Sequence, residues 1–386
     1  MYKKNLVFLA ACLGMLLFGI SLITLGSVAT DLKTKFSLNG IASGTLFSIL
    51  PFGILGGSFL FGPVCDRYGY KLLLILSCIA MFAGFEGIAF AASLGILKCC
   101  VFIFGVGGGI INGATNAVVA DISTKNKGAN LSLLGVFFCI GALGMPLLLG
   151  MVARTFNSFE VIAAVGWLTL AVGLFYTFIQ FPPAKQQQGI TIKKRDGLFS
   201  PLLLLIAFFL FCQSSLEAIV NNWATTFLVE RGTMTESNAL YALSLHIAGM
   251  TVMRLLTGSV FRNVPLSKMM WIGLFLLLTG FLFLQVGKTP AFAIAGLILT
   301  GAGLAEGFPI MLAYTGERFA ALSATAFSFV FVVALIGNML INYFMGWIVH
   351  RYGVEYLTTV SFAETGVMIV LFYFIFRKVE FGKSRE

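Results

Sequence analysis

The sequence predicts an all-α membrane protein of twelve transmembrane helices in two pseudo-symmetric six-helix bundles. Three observations carry that prediction. Of 386 residues, 59% are apolar or aromatic and only 10% are charged, against roughly 25% charged in a soluble domain. The apolar residues, 40 phenylalanines among them, gather into twelve runs of about the 20 residues a membrane helix needs. The chain also matches itself at one fixed offset.

The runs lie at roughly 5–30, 41–64, 72–97, 99–120, 129–153 and 161–182, then 200–228, 238–261, 269–287, 291–315, 321–349 and 354–376. Nearly all connections are short. The exception is Pro182 to Ser200, which carries Gln186, Gln187, Gln188, Lys193, Lys194 and Arg195. It divides the chain into a bundle at 1–182, a cytoplasmic linker at 183–199 and a bundle at 200–386. Lys3-Lys4 followed by Leu9-Ala10-Ala11-Cys12 has the look of a lipoprotein signal. The apolar run continues to about Ala29, so a first membrane helix is expected instead.

Orientation follows from the bases, which favour the cytoplasmic side. With the N-terminus inside, 17 of the 25 Lys and Arg residues fall inside, seven outside, and Arg254 within a span. Both termini are therefore expected in the cytoplasm, in a multi-pass protein of a bacterial inner membrane. This placement explains the net charge of +10 without nucleic acid. The seven cysteines sit mostly in apolar runs without metal-ligand spacing, so buried free thiols are expected. No cofactor or metal is implied.

A shift of 196 residues superposes the halves. Gly53 falls on Gly249, Gly62 on Gly258, Gly105 on Gly301, and Gly107 on Gly303. Asp121 falls on Glu317, Ser132 on Ser328, and Gly150 on Gly346. Parallel repeats with a site between them are a common design of secondary transporters.

After the second run comes Gly62-Pro63-Val64-Cys65-Asp66-Arg67-Tyr68-Gly69-Tyr70-Lys71. Gly62 permits close helix approach, while Asp66 and Arg67 offer charge-assisted contacts at the cytoplasmic mouth. This loop resembles the signature of the major facilitator superfamily, Gly-x-x-x-Asp-Arg-x-Gly-Arg-Lys, with Tyr70 where that family usually has Arg. Gly62, Asp66, Arg67 and Lys71 are thus candidate gating residues. Its second-half counterpart, Gly258 to Arg262 and Lys268, is degenerate. Further blocks are similar to the fucose–proton and glucose/mannose symporter branch: Gly105 to Asn116, Asn130 to Ala142, Glu217 to Trp223, Gly307-Phe308-Pro309 and Gly316 to Phe319. The resemblance implies the major facilitator fold, a sugar substrate and a coupling proton or sodium ion. It also implies proton-coupling acids in the first and fourth spans. Here the first span has an acid only at its end, Asp31, and the fourth none before Asp121. Coupling through Glu217, coupling to sodium, and uncoupled transport all stay open.

The polar residues inside the runs are informative by themselves. Gly105, Gly109, Asn112 and Asn116 share one helix face, which predicts a glycine-lined surface with two amides for a ligand. Gln213, Glu217 and Asn221 recur at every fourth residue, with Asn222 and Trp223 alongside. Asn338 and Asn342 lie one turn apart. Amides, a carboxylate and an indole suit paired hydroxyls on an apolar ring, although amides also bond packed helices together. Candidate substrate contacts are therefore Asn112, Asn116, Gln213, Asn221, Asn222, Trp223, Asn338 and Asn342. A charge inside a span costs about 2.5–3.5 kcal/mol on insertion scales, so such charges need a role. Glu217, Glu306 and His246 are the candidates for ion coupling, with Arg254 two turns from His246 and placed to pair with an acid. Glu86 and Glu364 lack polar neighbours in sequence.

The leading expectation is a secondary active transporter that imports a monosaccharide or related small polar solute with a cation. The alternative is a metabolite or drug efflux antiporter, suggested by Gly141-Ala142-Leu143-Gly144-Met145-Pro146 with Gly150. An enzyme is disfavoured: the chain has two histidines, no metal-ligand cluster and no Gly-x-Ser-x-Gly. No Walker-type motif supports ATP coupling. A sugar-sensing receptor would lack an appended signalling domain.

Overall fold

In lipid a backbone must satisfy its own hydrogen bonds, so each apolar run becomes a helix. The computed structural model describes residues 2–38, 40–152, 155–185 and 200–383. Gln186 to Gln188, Lys193 to Arg195, Arg154 and Arg385 lie outside the described residues. The first half contains α1 (Lys4–Ser27), α2 (Ala29–Phe36), α3 (Gly40–Tyr68), α4 (Tyr70–Phe90), α5 (Leu94–Ile122), α6 (Lys127–Val152) and α7 (Ser158–Phe178). The second contains α8 (Pro201–Glu230), α9 (Glu236–Gly258), α10 (Leu266–Val286), α11 (Pro290–Leu304), α12 (Gly307–Arg318), α13 (Ser323–Tyr352) and α14 (Tyr356–Lys383). Among the described residues, twelve spans are long and apolar enough to cross a membrane.

Helix starts follow local chemistry. Ser93 caps α5 through Ile96 N–H, and Asn157 with Glu160 forms a capping box on α7. Ser200 caps α8, with Pro201 at its first position. Between α3 and α4 the chain turns at Gly69, whose φ of 89° is one that glycine adopts without strain. Two features depart from the twelve simple runs. The first run ends in a separate short helix, α2, closed by Ser37 in the left-handed region. The tenth is broken at Ala305-Glu306, between α11 and α12.

Contacts within the structure form two compact units. The first is Met1–Thr124, Leu134–Lys193 and Phe319–Phe329; the second is Lys125–Leu133, Lys194–Arg318 and Val330–Glu386. The start of α6 therefore counts with the second unit, and the start of α13 with the first.

Glycine crossings repeat the internal duplication in three dimensions. A Cβ on Gly53 would strike Phe102 O, and one on Gly249 would strike Ile298 O, 196 residues further along. A Cβ on Gly105 would meet Leu50 O, and one on Gly301 would meet His246 O. A Cβ on Gly107 would stand 2.8 Å from Ser77 O, and one on Gly303 would stand 2.8 Å from Gly273 O. The pairs α3–α5 and α9–α11 are thus the same backbone-to-backbone contact built twice. It also corrects one expectation: Gly105 and Gly109 pack against α3, at Leu50 O and Ile54 O, and do not line a ligand face. All seven cysteines are free; five are buried, Cys100 is half-buried and Cys99 is exposed, so the expectation of burial fails for Cys99.

Candidate functional site

The break in the tenth span begins with Pro309. Proline has no N–H, so the carbonyl four residues earlier, Ala305 O, loses its helical donor. Arg254 of α9 supplies the replacement, with Nε 3.2 Å from Ala305 O. Its neighbour Leu304 O accepts from Gln213 Nε2 of α8 at 2.8 Å. Gly307 leaves room for this arrangement, because a Cβ there would collide with the Gln213 amide. The opened turn thus exchanges two backbone hydrogen bonds for side chains from two other helices of the same unit. Pro, Gly, Gln and Arg together make the break.

Carboxylates gather at the same place. Glu306, fully buried, accepts from Ser132 Oγ of α6 at 3.0 and 3.2 Å, one contact to each carboxylate oxygen. Glu217, partly exposed, accepts from Gln213 Nε2 at 3.1 Å. Arg254, 6% exposed, interacts electrostatically with both acids. His246 is also fully buried, but its Nδ1 is 3.1 Å from both Leu297 O and Thr300 Oγ1 of α11. Its recorded bonds therefore join α9 to α11.

The amides form separate groups in the two units. In the second unit Asn222 Nδ2 donates to Asn342 Oδ1 at 2.9 Å, and Asn342 Nδ2 donates to Asn338 O at 2.8 Å. Asn338 Nδ2 donates to Ser214 O at 3.2 Å, tying α13 to α8. Beside them Trp223, whose ring lies 3.8 Å from the position of a Cβ on Gly346, has a buried indole N–H without a partner. Asn221 is exposed, whereas Gln213 is 1% exposed and occupied by the helix break. In the first unit Asn116 Nδ2 donates to Asn112 O and Oδ1 at 2.9 and 3.1 Å. Asn116 is buried near Met15, and Asn112 is half-buried.

The loop residues surround the start of α13. Asp66 Oδ2 accepts from Thr325 N–H at 2.9 Å and from Thr325 Oγ1 at 2.6 Å. A carboxylate on the orphan N–H groups of a first turn caps the helix and complements its dipole. Asp121 adds Ser323 Oγ at 2.8 Å, Lys185 Nζ at 2.8 Å and Tyr70 OH at 2.6 Å. Tyr70, the departure from the family pattern, thus serves as a hydrogen-bond donor. A Cβ on Gly62 would stand 2.6 Å from Ser328 Cβ, so glycine is what permits this approach. Arg67 is exposed over the Tyr68 ring, and Lys71 Nζ donates to Thr177 O at 2.6 Å near the end of α7. Asp66→Ala is expected to destabilise the α13 start by about 1 kcal/mol. Faster amide hydrogen exchange confined to the first turns of α13 would report it, and unchanged exchange there would refute the cap.

In the second unit the degenerate loop keeps the same physical role. A Cβ on Gly258 would run into Leu133, and Arg262 donates to Asn130 Oδ1 at 2.8 Å. Glu86 and Glu364 each leave one carboxylate oxygen buried and unpartnered. Site residues that the sequence reading did not assign are Ser132, Thr257 and the carbonyls of Leu304 and Ala305. The spacing from Ala305 to Pro309 was the available signal for the last.

The family model described as Major Facilitator Superfamily matches residues 7–319. Among curated relatives, the sodium-dependent glucose transporter 1 of Homo sapiens is 23% identical, covering 94% of this chain and 78% of that protein. The hexuronate transporter of Bacillus subtilis (strain 168) is 28% identical, covering 58% of this chain and 57% of that protein. For several of the curated relatives the match spans about half of their length. Among solved structures, FucP of E. coli in the outward conformation superposes with a TM-score of 0.80 at 16% identity. That match covers 95% of this chain and 98% of FucP, and it shows a shared fold.

Proposed function

From the premise that the chain belongs to the Major Facilitator Superfamily and is a multi-pass membrane transporter, we propose that it imports a monosaccharide or related small polar solute with a cation by alternating access. The observation that carries this reading is the amide ladder Asn222–Asn342–Asn338 beside Trp223. Its acceptors and donors match paired hydroxyls, and the unpartnered indole N–H is a donor that a buried site leaves idle only at a cost. Asn112 and Asn116 of the first unit offer a second amide pair. Glu217 and Glu306 are the proposed coupling acids, and His246 a supporting group. Asp66, Arg67 and Lys71, with Gly62, form the proposed gate. The excess of bases on one side supports cytoplasmic termini, and an inner membrane is the proposed location. A relative named for glucose transport with sodium and a fold neighbour that is a fucose:proton symporter agree with this substrate class.

The test is uptake into proteoliposomes of glucose, fucose, xylose and a hexuronate, with proton and sodium gradients imposed separately. Accumulation of one of them under one gradient is the expected result. No uptake of any, with gradient-driven extrusion of a hydrophobic dye, would replace this reading by the efflux antiporter. Asn222→Ala with Asn342→Ala is expected to raise the apparent KM by about tenfold, as for the loss of one or two hydrogen bonds of about 1 kcal/mol each. An unchanged KM would return these amides to helix packing alone.

A further inference from the structure

We infer that a cavity at the loop end of the second unit, between the start of α6 and the turn from α9 to α10, binds the phosphate group of a phosphate ester. The ester is a soluble small molecule or a lipid headgroup. The inference goes beyond the transport reading and does not depend on it.

The internal duplication builds one cavity twice. In the first unit a cavity of about 400 Å³ is lined by Tyr68, Gly69, Tyr70 and Lys71, and by Gln180 and Pro183 beyond α7. In the second unit a cavity of about 430 Å³ is lined by Val264, Pro265, Leu266 and Ser267, and by Phe376 and Val379 of α14. Each residue of the second set lies 196 positions after its counterpart in the first.

The charges differ between the copies. In the first unit Asp66 accepts from Thr325 N–H and Oγ1 at the start of α13. At the matching position the second unit has a base, Arg262, which lines the cavity. Arg262 reaches the matching helix, α6, at Asn130 Oδ1, a neutral acceptor 2.8 Å away. Asp121 of the first unit accepts from Ser323, Lys185 and Tyr70. Its match, Glu317, lines the second cavity and is exposed, while Leu266 stands in place of Tyr70. Lys127 stands in place of Ser323, and its Nζ donates to Gly316 O at 3.0 Å.

This lining favours an anion. Arg262 and Lys127 against Glu317, two bases less one acid, leave one positive charge. Two helix starts add to it. α6 begins at Lys127 and α10 at Leu266, neither has an acid in its first turn, and Pro265 gives α10 no side-chain cap. A helix start carries about half a positive charge, and its N–H groups bind phosphate oxygens. Asp66 brings a negative group to α13 from within the chain; with Arg262 in that place, a phosphate meets the same need at α6. The guanidinium fork matches phosphate geometry, and Asn126, Asn263 and Ser267 add polar side chains to the wall. Val264, Leu266, Phe376 and Val379 make the rest of the lining apolar. A cavity of this size holds a small organic molecule, so the body of an ester fits beside its phosphate. Once bound, the phosphate bridges Lys127 of α6 and Arg262 of the turn, and so steadies the start of α6.

The test uses the purified full-length chain in phosphatidylcholine nanodiscs, titrated with glycerol 3-phosphate by calorimetry, with glycerol as the control. The expected result is one saturable glycerol 3-phosphate per chain, weakened by salt, with slower amide exchange at Lys127 to Asn130. Arg262→Gln and Lys127→Gln should each weaken binding by about tenfold or more, and a circular-dichroism melt verifies their fold. Glu317→Gln should strengthen binding severalfold, a gain that misfolding cannot imitate. Nanodiscs containing phosphatidylglycerol separate the two sources. Loss of the glycerol 3-phosphate signal there assigns the site to a lipid headgroup, and an unchanged signal assigns it to a soluble ester. Absence of saturable binding in phosphatidylcholine overturns the inference, as does binding that both folded Gln variants retain. Displacement of glycerol 3-phosphate by glucose also overturns it, because the ester would then occupy the sugar site.

Discussion

Arg254→Ala is expected to lower the stability of the full chain by about 3–5 kcal/mol, the usual cost of removing one partner from a buried charge group. Two losses combine in that figure. Ala305 O, already without its helical donor because of Pro309, loses the Nε–H that replaces it. Glu217 and Glu306 lose the cation that acts on both. The measurement is the unfolding midpoint in detergent, followed by circular dichroism, across pH. The deficit should shrink in acid, where protonation removes the stranded charges, but it should not vanish, because the carbonyl stays bare. Arg254→Lys should recover part of the loss, since it restores the charge without the planar fork. A midpoint equal to that of the parent at neutral pH would show that Arg254 is peripheral to the acids.

The fold was legible because membrane burial acts on length and composition, which a sequence displays directly. Runs of about 20 apolar residues and a glycine offset of 196 are sufficient to give twelve helices built in two copies. What escapes that reading depends on which groups meet. Gly105, Gly109, Asn112 and Asn116 do share a face of α5, but the glycines are consumed where α5 touches α3. Absence of a side chain marks close approach, and periodicity alone does not say whether the approaching body is a ligand or a helix. The same holds for the four-residue spacing of Gln213, Glu217 and Asn221. It places them on one stripe of α8, yet Gln213 is buried against Leu304 O while Asn221 is exposed. The exchange at the starts of α6 and α13 was hidden for a related reason. Ser132 of the first half bonds Glu306 of the second, and Thr325 of the second half bonds Asp66 of the first. Long-range partners of this kind have no local signature. The internal repeat gave a partial hint, since Ser132 falls on Ser328, whose hydroxyl in turn donates to Ser58 O.

Pro309→Ala should move stability and transport in opposite directions. Alanine restores an N–H opposite Ala305 O and removes a ring that disfavours the helical path, which together favour a continuous α11–α12 helix by up to about 3 kcal/mol. A closed helix would compete with Arg254 for Ala305 O and with Gln213 for Leu304 O. It would also turn Glu306 away from Ser132, because a residue that leaves an opened turn for a regular one changes its direction on the helix. The expected outcome is a raised unfolding midpoint together with gradient-driven accumulation reduced by an order of magnitude or more, while protein yield stays intact. Unaltered accumulation in a stabilised Pro309→Ala chain would mean that the break is a packing accommodation. A lowered midpoint would mean that Gly307 and the surrounding helices impose the break without Pro309. Both results differ from what coupling through Glu217 and Glu306 requires, because that reading needs the turn open to keep Glu306 on Ser132.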